Sequence, residues 1–384
     1  GFSHKETVVD DYDRQPLLPF KLSQLGPGQS WADFDGDGDP DFYLAGAAGY
    51  PGQLFRNNSS PGSGEVILTP EIQPWLQEDL RFEDMGSLFF DCDGDGDLDL
   101  YLVSGGIESV PGGDVLQDRL LLNNGRGQFT RAPEDSLPDL RQSGGIAAAA
   151  DFDRDGDLDV FVGSRSIPGE FPLSPKSALL QNDGSGKFSL VTDQIAPELV
   201  SPGMVTSALW TDVDNDRWID LMVTTEWGPI KLFRNHEGKL VDETEASGLL
   251  KEGQASLGWW TGIDGGDIDN DGDIDYVVTN LGRNSTYHAS LDSPELIFYG
   301  DFDNSGKDHI VEARFLVENG KKICYPRRGL GAAIQAMPWI LDKVQTFHNY
   351  ASLPLSGIYD IDLLQSSNQF VANNMDSSYL INDG

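Results

Sequence analysis

Cysteine is nearly absent: the 384 residues hold two, Cys92 and Cys324, too few for a disulfide framework. Basic residues are scarce as well, 26 Lys and Arg against 63 Asp and Glu, for a net charge of −37. A chain so acidic has no means of gripping a nucleic-acid backbone or an anionic membrane surface, so nucleic acid is excluded as a partner. No apolar run approaches the length of a membrane-spanning helix, so no membrane span is expected. The P-loop, G-x-S-x-G and H-E-x-x-H patterns are all missing. The five histidines, His4, His236, His288, His309 and His348, are scattered singly and read as structural. The chain opens at Gly1 with neither Met nor a leader, so it reads as a mature form or a segment of a longer protein.

What abounds is aspartate, and its placement is not that of a general acidic surface. Hydrophobic residues make up 39%, enough for a core, while 27 of the acidic residues fall in six short clusters. These read D-F-D-G-D-G-D-P-D from Asp33, D-C-D-G-D-G-D-L-D from Asp91, D-F-D-R-D-G-D-L-D from Asp151, D-V-D-N-D-R-W-I-D from Asp212, D-I-D-N-D-G-D-I-D from Asp267 and a worn D-F-D-N-S-G-K-D-H from Asp301. Their spacings are 58, 60, 61, 55 and 34 residues, and the first four suit a unit of four short strands with turns.

Each cluster is followed by a strand-like run: Phe42-Tyr43-Leu44, Leu100-Tyr101-Leu102-Val103, Val160-Phe161-Val162, Leu221-Met222-Val223 or Tyr276-Val277-Val278. A further run then recurs as Q-L-F-R-N-N, R-L-L-L-N-N-G, A-L-L-Q-N-D-G and K-L-F-R-N-H-E-G, ending in a hairpin signal. Strand, Asp loop, strand, loop, strand, turn and strand make one propeller blade. The expectation is an all-β fold, a single β-propeller of four-stranded blades over residues 1–384, with seven blades ahead of six. Cys92 sits where other clusters have Phe34 or Phe152, so it reads as a small buried hydrophobe. Pro338 opens the one persuasive helix, at 338–351, taken as part of an insertion over 310–356. The chain stops at S-Y-L-I-N-D-G, and residues 2–10 resemble a fourth strand, so they are expected to pair with the blade that holds 377–382.

The Asp loops point to calcium, a hard cation that takes six to eight oxygen ligands. Carboxylates at positions 1, 3 and 5 converge, position 7 offers its carbonyl, and position 9 closes the site. The ligand sets are Asp33, Asp35, Asp37, Asp39 and Asp41; Asp91, Asp93, Asp95, Asp97 and Asp99; Asp151, Asp153, Asp155, Asp157 and Asp159; Asp212, Asp214, Asp216, Trp218 and Asp220; and Asp267, Asp269, Asp271, Asp273 and Asp275. Arg217 replaces the position-6 Gly of the fourth loop, where a left-handed residue costs about 1 kcal/mol. Asp301, Asp303 and Ser305 form a degraded sixth set, with Lys307 and His309 where other loops have acids. About five Ca²⁺ ions are expected, or six with the worn loop. An EF-hand is excluded, because position 12 is Leu44, Leu102, Val162, Val223 or Val278 rather than Glu.

The stretch G-Q-S-W-A-D-F-D-G-D-G-D-P-D-F-Y-L-A-G-A-A-G resembles the FG-GAP/VCBS repeats of integrin α-subunit propellers. V-S-G-G-I-E, P-L-S-P-K-S-A-L-L-Q-N-D-G, N-L-G-R-N-S and Y-P-R-R-G are similar to bacterial relatives of cartilage acidic protein, which carry ASPIC/UnbV segments. The resemblance implies calcium and an extracellular or cell-surface location, which in a bacterium includes the periplasm and outer membrane. It names no ligand.

Two functions stand open. One is a binding or scaffold module that holds a protein or glycan on the face opposite the calcium loops, through Tyr50, Glu108, Arg165, Phe171, Trp227, Arg283, Tyr287 and His288. The other is a calcium-dependent polysaccharide lyase or hydrolase, for which no catalytic motif is present. Phe171 and Trp227 have the alternative of packing between blades.

Overall fold

A computed structural model describes residues 3–60, 64–251 and 254–384. The first four Asp clusters each turn one strand back along the next, and two further strands follow in antiparallel order. The first unit is β1 (Gln29–Ala32), β2 (Asp41–Leu44), β3 (Gln53–Asn57) and β4 (Leu68–Glu71). The second is β5 (Asp84–Phe90), β6 (Asp99–Ser104), β7 (Arg119–Leu122) and β8 (Thr130–Arg131). The third is β9 (Ser143–Ala150), β10 (Asp159–Ser166), β11 (Ala178–Asn182) and β12 (Phe188–Leu190). The fourth is β13 (Met204–Thr211), β14 (Asp220–Gly228), β15 (Ile230–Asn235) and β16 (Leu240–Asp242), followed by a small hairpin, β17 (Leu250–Lys251) and β18 (Gln254–Ala255). Short helices α1 (Asp11–Arg14), α2 (Pro74–Glu78) and α3 (Thr192–Ile195) lie in connections.

The strand after each of the first four Asp loops is buried on both faces, throughout β2, β6 and β14, because successive sheets stack on one another like propeller blades. Phe34, Tyr43 and Leu54 of the first blade pack on Leu100, Leu102 and Leu121 of the second. Cys92, Tyr101 and Leu120 then meet Val160, Val162 and Leu180, and Phe152, Phe161 and Leu179 meet Leu221, Val223 and Phe233. Alternation along each strand therefore serves two neighbours at once. Each buried aliphatic or aromatic side chain contributes roughly 1.5–3 kcal/mol. Cys92 is buried and unpaired, the small hydrophobe its position suggested.

The fifth blade is split. Its strands β19 (Gly258–Gly266) and β20 (Asp275–Asn280) are adjacent in sequence, and its third strand is β25 (Ser378–Leu380). Tyr276 faces Leu380 across this pair, as Phe42 faces Phe55, Leu100 faces Leu121, Val160 faces Leu180 and Leu221 faces Phe233. Residues 281–377 thus leave the blade between its second and third strands. They form a sixth sheet, β21 (Glu295–Gly300), β22 (His309–Glu318), β23 (Lys321–Pro326) and β24 (Asn368–Ala372), ordered β23-β22-β21-β24. Between β23 and β24 run α4 (Leu330–Ala336), α5 (Trp339–Val344), α6 (Phe347–Ser352), α7 (Leu355–Ile358) and α8 (Ile361–Ser366).

Three expectations change. The helix read over 338–351 is two helices, broken where Gln345 takes φ 62° and Thr346 caps α6 by accepting from Asn349 N. The insertion placed at 310–356 spans the wider excursion just described, because 310–326 pairs as strand. Among the described residues 3–10 there is no strand, and β25 has β20 as its neighbour. Instead Thr7 Oγ1 donates to Ala48 O beside the first blade; residues 1 and 2 lie outside the described residues. Six strand–loop–strand units are found among the described residues, the smaller of the two numbers expected.

The excursion sits on the ends of the blades opposite the Asp loops. Ile107, Phe171, Met204, Trp227 and Trp259, all at those ends, share one core with Ile297, Leu330, Met337 and Ile340. Residues near the N-terminus fasten it: Gln15 exchanges two hydrogen bonds with the Phe171 backbone at 3.0 and 3.2 Å, and Arg328 donates to Leu18 O.

Candidate metal centre

Each Asp loop is a tight coil closed on its own carboxylates. In the first, Asp33 Oδ1 accepts from Gly36 N at 2.8 Å and Asp37 N at 3.1 Å, and Asp33 Oδ2 accepts from Gly38 N at 2.8 Å. Asp37 Oδ1 then accepts from Asp39 N at 3.0 Å. The same last bond recurs from Asp95 to Asp97, Asp155 to Asp157, Asp216 to Trp218 and Asp271 to Asp273. The coil needs two left-handed residues, not one. Position 6 (Gly38, Gly96, Gly156, Arg217, Gly272) is left-handed as expected, and so is position 4 (Gly36, Gly94, Arg154, Asn215, Asn270). Gly and Asn dominate position 4 because they tolerate that region best, a signal present in the sequence and not used above.

Carboxylate oxygens then gather within 4.8 Å of one another in five places. Loops one and five bring together positions 1, 3 and 5: Asp33, Asp35 and Asp37, and Asp267, Asp269 and Asp271. Loops two to four bring together positions 1, 3 and 9: Asp91, Asp93 and Asp99; Asp151, Asp153 and Asp159; Asp212, Asp214 and Asp220. The sixth loop keeps the coil, with Ser305 N on Asp301 and Asp303, and gathers no such group among the described residues.

The position-9 aspartate also has a structural duty that spacing alone did not reveal. Asp99 accepts from Cys92 N at 3.0 Å and from Asn123 N, in the turn after β7, at 2.8 Å. Asp159 does the same with Phe152 and Asn182, Asp220 with Val213 and Asn235, and Asp275 with Ile268 and Asn382. Those asparagines continue to the preceding blade. Asn123 Nδ2 donates to Phe34 O at 2.7 Å, Asn182 to Cys92 O at 2.8 Å, Asn235 to Phe152 O at 2.7 Å and Asn382 to Val213 O at 2.7 Å. Loops two to five are therefore each tied to the loop before them.

Desolvation pushes the buried Asp41 and Asp220 carboxyls up to about 6 and Asp159 up to about 7, against backbone N–H bonds that pull them down. Asp93 and Asp153 are raised by burial first and by neighbouring carboxylates next. Asp151 Oδ1 is buried without any hydrogen-bond partner. A crowd of oxygens with raised carboxyls and an unpartnered acceptor fits a hard dication: the donors are all oxygen, and a divalent charge offsets the repulsion.

The residues expected to bind a ligand on the opposite face are not brought together as an open surface. Phe171 and Trp227 are buried under the excursion, together with Tyr287 that the excursion itself contributes: Trp227 lies 5.5 Å from the Trp259 ring centroid and 6.0 Å from that of Tyr287. All three are core, because the excursion packs over the blade ends that Phe171 and Trp227 occupy. Arg165 pairs with the buried Glu226. Glu108 is half-buried and accepts from Ile107 N at 2.9 Å, while Tyr50, Arg283 and His288 are exposed.

The match to a repeat family agrees with this architecture. The FG-GAP-like repeat family matches residues 33–102, 91–162 and 212–278, which together take in slightly over half of the chain. Cartilage acidic protein 1 from Mus musculus and from Homo sapiens are each 26% identical over 223 residues, 54% of this chain. The match spans 31% of the length of those curated relatives. Among solved structures, a crystal structure of BBS1N in complex with ARL6DN aligns at 13% identity and a TM-score of 0.26, over 69% of this chain and 91% of that one.

Proposed function

This chain belongs to the FG-GAP-like repeat family, and from that premise we propose that it is a calcium-stabilised extracellular scaffold propeller that binds a protein or glycan. The observation that carries the calcium part is the recurrence of one carboxylate-lined coil five times, on five blades in a common register. In each loop the position-1, position-3 and position-5 or position-9 carboxylates would hold the ion. Bound Ca²⁺ supplies charge neutralisation and cross-linking of the coil, not chemistry on a substrate. Five ions would bring the net charge from −37 to −27.

Location outside the cell is supported by the family and the cartilage acidic protein relatives. No helix among the described residues is long and apolar enough to cross a membrane. With Phe171, Trp227 and Tyr287 covered, the surface for a ligand shifts outward to Tyr50, Arg283, His288 and the solvent side of the helices.

Thermal melts in EGTA and in about 2 mM Ca²⁺, a concentration scaled to extracellular modules, test the central point. Each site adds roughly 2.7 kcal/mol when calcium stands at 100 times its Kd, so the melts should lie many degrees apart. Asp95→Ala should lower the calcium stoichiometry and Ser305→Ala should not. Coincident melts would overturn the calcium role. Cleavage of an acidic polysaccharide in a turnover assay would replace the scaffold with the lyase or hydrolase reading.

A further inference from the structure

The five coils share a backbone and differ in one neighbour, the residue immediately before each ladder asparagine. That residue is Arg56, Leu122, Gln181, Arg234 or Ile381 in blades one to five. The Arg56 guanidinium pairs with Asp35 of loop one, while its Nε reaches Glu71 Oε1 at 3.0 Å. Arg234 pairs with Asp214 of loop four, and its Nε lies 3.2 Å from Asp220 Oδ1. It thereby engages two of the three carboxylates gathered in that loop. In loop three Gln181 Nε2 donates to Asp153 Oδ2 at 2.5 Å, a neutral contact to the same position-3 carboxylate. Leu122 and Ile381 have no polar side-chain atom to offer Asp93 or Asp269.

Resting on the reading that these loops hold calcium, we infer that Arg56 and Arg234 are built-in competitors of the ion, which divide the five sites into two classes. A guanidinium and Ca²⁺ demand the same carboxylate oxygens, and a fixed positive charge a few ångströms away opposes a dication even where both could fit. Loops two, three and five fill first; loops one and four fill only at higher calcium, when the arginine has been displaced from Asp35 or Asp214. The same arginines stabilise their loops when no ion is bound, because they neutralise carboxylates that otherwise repel one another. Loop four is the more heavily opposed: Arg217 occupies its position 6 at φ 75°, and Arg154 of loop three stacks 4.2 Å over Trp218. A chain built this way keeps three blades cross-linked throughout and tightens the other two over a separate range of calcium concentration.

Isothermal titration of calcium into EDTA-stripped chain, with melts in EDTA and in calcium, tests the division. Wild type should show two stages, three ions and then two. Arg56→Leu with Arg234→Leu should merge them, each freed site tightening about tenfold, the scale of a partly buried charge contact. Leu122→Arg should move one ion from the first stage to the second. Arg234→Gln, which installs the residue found in blade three, covers the case in which the leucine variant folds poorly. The melts should cross: the double variant melts below wild type in EDTA and its deficit closes or reverses in calcium, whereas a merely structural arginine would lower both. Five ions bound in one stage, with the arginine variants unchanged, would overturn the division and leave the calcium reading intact. No calcium bound to any variant would overturn both.

Discussion

At the scale of single residues, the buried carboxyls are where pH enters. Glu83 is almost wholly buried and accepts from Ala48 N at 2.7 Å. Desolvation pushes it up to about 8, with Glu108, Glu6 and Asp84 adding to the rise. Its folded-state value lies above the ordinary carboxylate range, so the fold prefers the protonated acid. That preference stabilises fully below the unfolded value, roughly pH 4, and is lost as pH rises through about 8. Glu83→Gln holds the neutral form permanently. At saturating calcium the variant should out-melt wild type by a margin that is smallest near pH 4, widens steadily as pH rises, and levels off above about pH 8 at several degrees. A constant offset across that range would show that Glu83 ionises freely in the fold.

Among elements, the clearest contrast is between equivalent positions on successive blades. Leu54, Leu120, Leu179 and Leu232 hold one place on the third strand, and all are buried against the next blade. Tyr379 holds that place on β25 and is 71% exposed, and Val277 and Ile268 on the same face of blade five are 47% and 48% exposed. Leu179→Ala should therefore cost about 2–5 kcal/mol, the range for emptying a packed core site. Tyr379→Ala should stay within about 0.5 kcal/mol, as surface substitutions do. Equal losses in chemical denaturation would mean that the face of blade five is covered in solution.

The same elements explain what could be read in advance. The Asp coils were legible because all their carboxylates and both left-handed residues lie within nine consecutive positions, so spacing alone fixes them. The blade unit was legible because the Asp loop joins β9 to β10 and a short turn joins β11 to β12, so adjacent strands pair in sequence order. Nothing local announces that β25 belongs beside β20 across the whole excursion; the S-Y-L-I-N-D-G run showed a third strand without its partner. The arginines at Asp35 and Asp214 were hidden for a related reason. Their contact depends on where β3 and β15 lie relative to a loop on the far side of the intervening strand. Phe171 and Trp227 looked like ligand residues because they lie where the second strand gives way to the third, opposite the Asp loops, where propellers are open. Here that end is closed by the chain itself.

At the scale of the whole molecule, that closure decides how the chain unfolds. The helices form no core of their own: Met337, Ile340 and Val344 share one cluster with Phe171, Trp227 and Trp259 of the blades and with Leu17 and Leu18 near the N-terminus. Hydrogen bonds from Gln15 to Phe171 and from Arg328 to Leu18 run across the same junction. Exposing the underside of the helices would open the blade ends too, so the two parts should lose structure together. Ile340 is fully buried at the junction, and Ile340→Ala removes its packing at a cost of about 2–5 kcal/mol. In differential scanning calorimetry with calcium present, the variant should give one endotherm at a lower midpoint. On the proposed reading that the Asp loops, at the far end of the same cooperative unit, hold calcium, added calcium should raise that midpoint in the variant and in wild type alike. Helices that docked as a separate body would instead give a small early endotherm in the variant. The main endotherm and its response to calcium would then remain where they were in wild type, and the shared core would carry no coupling.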